Sequence, residues 1–163
     1  RNWMAMKEME IGLAMSPGNM HQAVFMDFPV SMGGYEYTKT PDNPCVIQMI
    51  SCPYGETVGA PRLEQYREAR YRMLGLQFKD YEEEIRSHLS GMLPRKLFDF
   101  DRDVKSITVN RWGHGYSVGG PEGSVKKGRQ PFGRITIANC DSAPGADAKT
   151  AIDMASRAVK ELG

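Results

Sequence analysis

Arg134-Ile135-Thr136-Ile137-Ala138 opens the stretch of sequence that decides the fold class. This short apolar run predicts a buried strand, residues 139–147 predict a loop rich in Gly, Pro and Asp, and residues 148–162 predict a helix. Arg157 and Lys160 lie near the end of that helix, where the macrodipole favours positive charge. A strand, a loop and a helix in this order predict an α/β fold. The apolar face of the predicted helix consists of Ala148, Ala151, Ile152, Ala155, Val159 and Leu162.

Two further helices are predicted toward the N-terminus. One begins at Ala60-Pro61, since proline suits the first helical position, and ends at Gly75. The other begins near Asp80, which has capping-box spacing with Glu83, and ends before Pro94. The second is the clearest amphipathic helix of the chain, because its apolar residues recur at intervals of three and four. They are Phe78, Tyr81, Ile85, Leu89 and Met92.

Three more segments have the composition of strands. Residues 21–30 and 45–52 are apolar runs separated by turn residues, and they predict two strands joined through a turn-rich connection. Residues 104–112 alternate enough to predict a third strand. Residues 113–133 turn to Gly, Ser, Lys and Pro and predict a long loop, and methionine-rich residues 3–18 predict a short helix or an irregular segment.

Length and composition describe an ordinary globular chain. The 163 residues are about one domain's worth, with 40% apolar and 25% charged residues. The net charge of +1 gives no field for attracting nucleic acid or an anionic membrane. The opening Arg1-Asn2-Trp3 suggests a chain cut from something longer, so we expect any targeting segment to lie outside it. The location of the protein, in the cytoplasm or the periplasm, therefore stays open. The widely spaced Cys45, Cys52 and Cys140 fit neither a disulfide framework nor a metal site.

Nucleotide-binding loops are not complete in this sequence. Gly113-His114-Gly115 follows a predicted strand, but the third glycine of a dinucleotide fingerprint would stand where Val118 is. The run from Gly123 to Lys126 lacks the spacing of a phosphate-binding P-loop. The basic group at 126–129 is interpreted as a solvated loop.

The histidines allow a hydrolase to be drawn but do not select one. His21 lies at a strand entrance and His88 lies beside the apolar stripe of a helix, where a structural role is the simpler interpretation. His114 stands between Trp112 and Tyr116 at a predicted strand end, and either faces a ligand or holds a turn. A small hydrolase using His114 would need a nucleophile that the sequence does not nominate.

The C-terminal strand, loop and helix give the best physical case for a site. Asn139, Cys140 and Asp141 follow the predicted strand, where side chains meet ligands at the carboxyl edge of a sheet. The small residues of 142–146 allow a ligand close to the backbone, and the N–H groups at the start of the next helix favour an anion.

Several of these motifs together resemble one family. Residues 107–116, residues 128–141 and Ala151-Ile152-Asp153, with the opening Arg1-Asn2-Trp3 and residues 27–35, are similar to the C-terminal part of spermidine-dehydrogenase-like, FAD-dependent amine oxidoreductases of the flavin amine oxidase superfamily. The chain has Gly113 where that family has proline, and Cys140 where it commonly has serine. The family's N-terminal glycine fingerprint for FAD is missing.

The resemblance implies a division of the chain. Residues 1–112 would be a portion of an α+β substrate-binding domain, residues 113–131 a connecting loop, and residues 132–163 the closing strand and helix of a Rossmann-like FAD/NAD(P)-binding domain. The fold would be incomplete without an N-terminal part, supplied in cis or in trans. We therefore expect this chain to be inactive on its own.

The resemblance also implies a reaction and roles. The family oxidises an amine, here expected to be a polyamine such as spermidine, to an imine and then an aldehyde by hydride transfer to FAD. Trp112 and Tyr116 would flank the substrate, and His114 would accept a proton or hold the turn. Haem occurs in the family, but no residue here is assigned to it. The alternative is a non-catalytic remnant or binding module without a cofactor. The expected FAD contacts are Asn139, Cys140, Asp141, Ala148, Thr150 and Ala151.

Overall fold

The computed structural model describes residues 3–27, 30–113, 123–143 and 145–162. The chain divides into two compact units, Arg1–Arg111 and Trp112–Gly163. This division concerns contacts within the chain, and the assignment of the two parts to a substrate domain and an FAD domain stays a prediction. None of the helices in the described ranges has the length and apolar character that crossing a lipid bilayer requires.

The N-terminal unit contains a three-stranded antiparallel sheet. Its strands are β1 (Leu13–Met15), β2 (Ala23–Met26) and β3 (Ile47–Ile50), in the order β1-β2-β3. Val24 lies opposite Ala14 on one side and Met49 on the other. The strands predicted within 21–30 and 45–52 are confirmed, with shorter bounds. Strand β1 lies in a segment for which a helix or irregular structure was expected.

Four helices accompany the sheet in the described part of this unit. They are α1 (Met4–Glu8), α2 (Arg62–Gly75), α3 (Phe78–Met92) and α4 (Phe100–Asp103). The predicted helices are confirmed, but the start of α3 differs by one turn. Gln77 is its N-cap and donates its backbone N–H to the Asp80 carboxylate at 2.7 Å, so Asp80 is the third residue of the helix and not its cap.

The core of the N-terminal unit lies between α3 and the sheet. Val24 and Met6 are completely enclosed, and Leu89 is 4% exposed. Each large apolar side chain that is fully buried contributes about 1.5–3 kcal/mol of transfer free energy. The other buried members of this cluster are Ala5, Tyr81, Ile85, Leu93 and Phe100.

The C-terminal unit has helices but no paired strand among its described residues. Its helices are α5 (Ser124–Gly128), a 3₁₀ turn (Cys140–Ser142) and α6 (Ala148–Lys160). The expected strand at 134–138 is wrong, because only an isolated bridge joins Phe132 and Ile135 there, around the left-handed Gly133. A loop was expected over residues 113–131, but helix α5 lies within it, so this expectation is corrected as well.

Residues 104–112 also form no strand, because they find no neighbouring backbone to pair with in this structure. The described residues thus form a mixture of helices and one small antiparallel sheet, and the fold is α/β only in that general sense.

Candidate functional site

The structure places the predicted aromatic and histidine site only in part. Trp112 is 74% exposed and begins the C-terminal unit. His114 and Tyr116, predicted as proton acceptor and substrate contact, lie outside the described residues. The roles of His114 and Tyr116 therefore stay predictions. Trp112 itself offers an exposed aromatic surface.

The predicted flavin contacts after residue 138 lie in a compact turn. Asn139 is exposed, and Cys140 is half-buried at the start of the 3₁₀ turn that also contains Asp141. Ser142 is buried; its hydroxyl donates to the Asn139 carbonyl at 2.6 Å, and its own carbonyl accepts from Arg129 Nε at 2.6 Å. The backbone here is consequently engaged in bonds within the unit.

The start of helix α6 is closed by its own cap. The Asp147 carboxylate accepts from the Thr150 N–H and from the Thr150 hydroxyl, both at 2.8 Å. These hydrogen bonds lower the pKa of Asp147 and keep its carboxylate charged. Ala151 donates its N–H to the Asp147 carbonyl at 3.1 Å. An anionic ligand at Ala148, Thr150 and Ala151 would thus meet a negative charge.

A second group of chemically capable side chains lies in the N-terminal unit. Ser16 directly follows β1, His21 precedes β2 by two residues, and Glu84 and His88 lie one turn apart on α3. Ser16 Oγ is 3.0 Å from His88 Nε2, and His88 Nδ1 is 3.6 Å from Glu84 Oε1. The other Glu84 oxygen contacts His21 Nδ1. We call these four residues the Ser-His-Glu cluster.

The β1–β2 hairpin brings Ser16 and His21 onto α3. Ser16 donates its N–H to the Gln22 carbonyl at 2.8 Å, which closes the turn, and Gly18 has a left-handed φ of 95° within it. His21 donates its backbone N–H to Glu84 at 3.4 Å. Both imidazoles are buried, at 6% and 8% exposure for His21 and His88, and the side chain of Glu84 is 19% exposed.

A cavity of about 360 Å³ opens beside this cluster. Ser16, Glu84 and His88 contribute to its wall, so the residues joined by the contact between Ser16 Oγ and His88 Nε2 border the same space. The remaining lining residues are Asn19, Ser87, Gly91 and Met92. No lysine or arginine of the described residues lines this cavity.

Metal-binding and thiol chemistry find less support. Over the described ranges, no group of three His, Cys, Asp or Glu side chains is placed to hold a metal ion. The three cysteines are free thiols. Burial and the nearby Asp27 raise the pKa of Cys45, which disfavours its reactive thiolate form.

Comparison with known proteins gives no further guide: the chain matches no protein-family model and no curated protein. Function therefore has to be argued from the residues and their geometry.

Proposed function

We propose that the chain is the C-terminal part of an FAD-dependent oxidoreductase that converts an amine, such as a polyamine, to an imine and aldehyde. The proposal starts from the resemblance of residues 107–116 and 128–141 to spermidine-dehydrogenase-like enzymes. It requires an N-terminal part, in cis or in trans, that brings the glycine fingerprint for FAD.

The observation that supports the proposal best is the uncovered apolar surface of the C-terminal unit. Helix α6 buries Ala158 at 3% exposure, but Ile152 and Val159, which belong to the apolar face predicted for this helix, are 68% and 69% exposed. Leaving large apolar groups in water forgoes their transfer free energy, so a stripe of this kind favours burial against another polypeptide. The missing FAD-domain part is the partner that the proposal supplies.

The segment before α6 has the same character. Ile135 is 65% exposed and Ile137 is 39% exposed, although their sequence is typical of a buried strand. Thr136 Oγ1 donates to the Ala158 carbonyl at 3.1 Å, and Arg157 donates to the Ile137 carbonyl, so the segment is held along α6. We propose that it becomes the closing strand of a Rossmann-like sheet when neighbouring strands are supplied.

The residues of this chain do not by themselves make an FAD site. The fingerprint for the pyrophosphate is missing from the sequence. The start of α6 is occupied by the charged Asp147, whose cap uses the Thr150 N–H. The cofactor would therefore be held mainly by the N-terminal part. What this chain would offer the amine is Trp112, an exposed aromatic face that attracts an alkylammonium by about 0.5–2 kcal/mol.

The test is co-production of this chain with the N-terminal FAD-domain part of a polyamine-oxidising flavoprotein. We expect a copurified yellow complex with flavin absorbance and polyamine-dependent dye reduction. Ile152→Asp places a charge on the exposed stripe and should abolish copurification, whereas Lys160→Asp, outside that stripe, should leave it unchanged. A colourless complex without dye reduction would refute the proposal and favour a binding module without a cofactor.

A further inference from the structure

The Ser-His-Glu cluster has the connectivity of a hydrolase active site. The distance of 3.0 Å between Ser16 Oγ and His88 Nε2 lies within the range for a nucleophile and its general base. A hydroxyl is a weak nucleophile until a base takes its proton, and His88 is the group in position to do so. This contact joins residues that are 72 positions apart in the sequence.

The second nitrogen of His88 is oriented toward a carboxylate. Nδ1 is buried and has no hydrogen bond to any residue that the structure describes, and it lies 3.6 Å from Glu84 Oε1. The neutral tautomer that accepts from Ser16 at Nε2 carries its proton on Nδ1 and turns it toward Glu84. Hydrogen bonds of this kind are often long before substrate binds. Glu84 is itself held by the side chain and the backbone N–H of His21.

We propose that this cluster is a serine esterase site, in which Ser16 is the nucleophile, His88 is the general base and Glu84 is a positioning residue that orients His88. An arrangement of serine, histidine and carboxylate of this kind is recognised by its geometry and not by the order of the residues in the sequence. The site lies wholly within the N-terminal unit and is independent of the flavin proposal.

The cavity selects the class of substrate. Its volume of about 360 Å³ is at the small end of ligand-binding pockets, which suits a short acyl group. Among the described residues the wall contains the Glu84 carboxylate and no lysine or arginine, so a neutral ester is favoured over a phosphate or carboxylate substrate. Asn19 shares the wall with Ser16, and in the proposed site its side-chain amide would donate to the developing oxyanion.

The reaction balances without a cofactor. Ser16 Oγ forms a bond to the ester carbonyl carbon while its proton passes to His88 Nε2. The tetrahedral intermediate breaks its bond to the alkoxide, which takes the proton from His88 and leaves as the alcohol. Water then attacks the acyl-serine by the same route, releasing the carboxylic acid and restoring Ser16.

The experiment uses the purified full chain with p-nitrophenyl acetate as substrate and diisopropyl fluorophosphate as a covalent probe. We expect ester hydrolysis above the buffer rate and one phosphoryl adduct on Ser16, located by mass spectrometry. Ser16→Ala should lose both, and His88→Ala should lower the rate about 10²–10⁴-fold. Ser90→Ala, at an exposed position of α3 that does not line the cavity, is the matched control and should keep the wild-type rate.

Two measurements separate chemistry from folding. Glu84→Gln should lower kcat with little change in KM, because it disturbs the orientation of His88 and not the cavity. The thiol introduced by Ser16→Cys should be alkylated by iodoacetamide faster than the exposed Cys52, since a thiol beside an imidazole forms a thiolate more readily. The proposal is overturned if the folded chain shows no hydrolysis and no Ser16 adduct, if Ser16→Ala hydrolyses as fast as the wild type, or if the thiol of the Ser16→Cys variant reacts no faster than Cys52.

Discussion

The N-terminal unit buries large apolar side chains, whereas the C-terminal unit buries only small ones. In the first, Val24, Leu89 and Phe100 are at most 8% exposed. In the second, the buried apolar residues among those described are Ala143 and Ala158. A core of large side chains can stabilise a fold by itself, but two alanines supply little transfer free energy. The difference indicates that the first unit is stabilised from within, and it agrees with the partner that we propose for the second.

The largest effect is expected from Leu89→Ala in α3. Leu89 is 4% exposed within the apolar core of the N-terminal unit, so its truncation removes buried surface and leaves a cavity. The free energy of unfolding of the N-terminal unit should fall by about 2–5 kcal/mol. Urea denaturation followed by Trp3 fluorescence, in a Trp112→Phe background, measures this unit specifically, because the chain has two tryptophans, one in each unit.

The control is the same substitution at an exposed leucine of that unit. Leu63 in α2 is 61% exposed, and Leu63→Ala should change stability by no more than about 0.5 kcal/mol. Similar losses from the two variants would show that the cluster around Leu89 is not the core.

A smaller loss is expected from Gly55→Ala. A Cβ at this position would lie 2.6 Å from the Cα of Gln65, which is the backbone of α2 and cannot move aside. Overpacking of this kind costs about 1–3 kcal/mol. Gly91→Ala is the matched control: its Cβ meets nothing within 4 Å, and alanine in a helix gains about 0.5–1 kcal/mol over glycine. Opposite signs for the two variants in urea denaturation would confirm the close approach, and equal signs would contradict it.

The longer helices α2 and α3 could be predicted from this sequence because local residues specify them, whereas the short helices α4 and α5 were not predicted. Pro61 and Gly75 bracket α2, and Pro94 follows the end of α3, so each boundary is readable without tertiary information. The strand predicted at 134–138 was wrong, because local residues do not specify a strand as they specify a helix. A strand needs a hydrogen-bonded neighbour, and an apolar run shows only a preference for burial. The Gln77 cap was missed because glutamine is not a favoured N-cap residue.

Only half of the Ser-His-Glu cluster could be predicted from the sequence. Glu84 and His88 are four residues apart on a predicted helix, so their shared face follows from the period. Ser16 and His21 reach that face through the β1–β2 hairpin, and strand β1 was not predicted. Without the hairpin, no serine is nominated as a partner of His88, which is why the sequence favoured a structural histidine.

The stability of the N-terminal unit in acid should depend on the buried carboxylate of Asp103. Asp103 is 4% exposed, and hydrogen bonds from Arg102 and from the Asp99 N–H lower its pKa. A pKa that is lower in the folded state gives stability above the unfolded value of about 3.9, and this stability is lost as the pH falls through the folded value. Asp103→Asn should therefore destabilise the N-terminal unit at neutral pH by about 1–3 kcal/mol. It should also flatten the acid limb of this unit, that is, the decrease of its stability at low pH.

The measurement is the urea midpoint of Trp3 fluorescence as a function of pH. Asp101→Asn is the control, because Asp101 is exposed and its ion pair with Arg86 is screened by water. An unchanged acid limb in Asp103→Asn would show that this carboxylate is not linked to folding.

The smallest effect is expected from Asp147 at the start of α6. Its pKa is lowered by hydrogen bonds from Thr150, but the carboxylate is exposed and its charge is screened by water. Asp147→Ala removes the cap, and we expect faster amide hydrogen exchange in the first turn of α6 with no change in the unfolding midpoint of the N-terminal unit. Asp147→Asn keeps an accepting oxygen and should restore most of the protection. If Asp147→Ala also shifted the N-terminal midpoint, the two units would be energetically coupled, and the C-terminal unit would already have its stabilising partner within this chain.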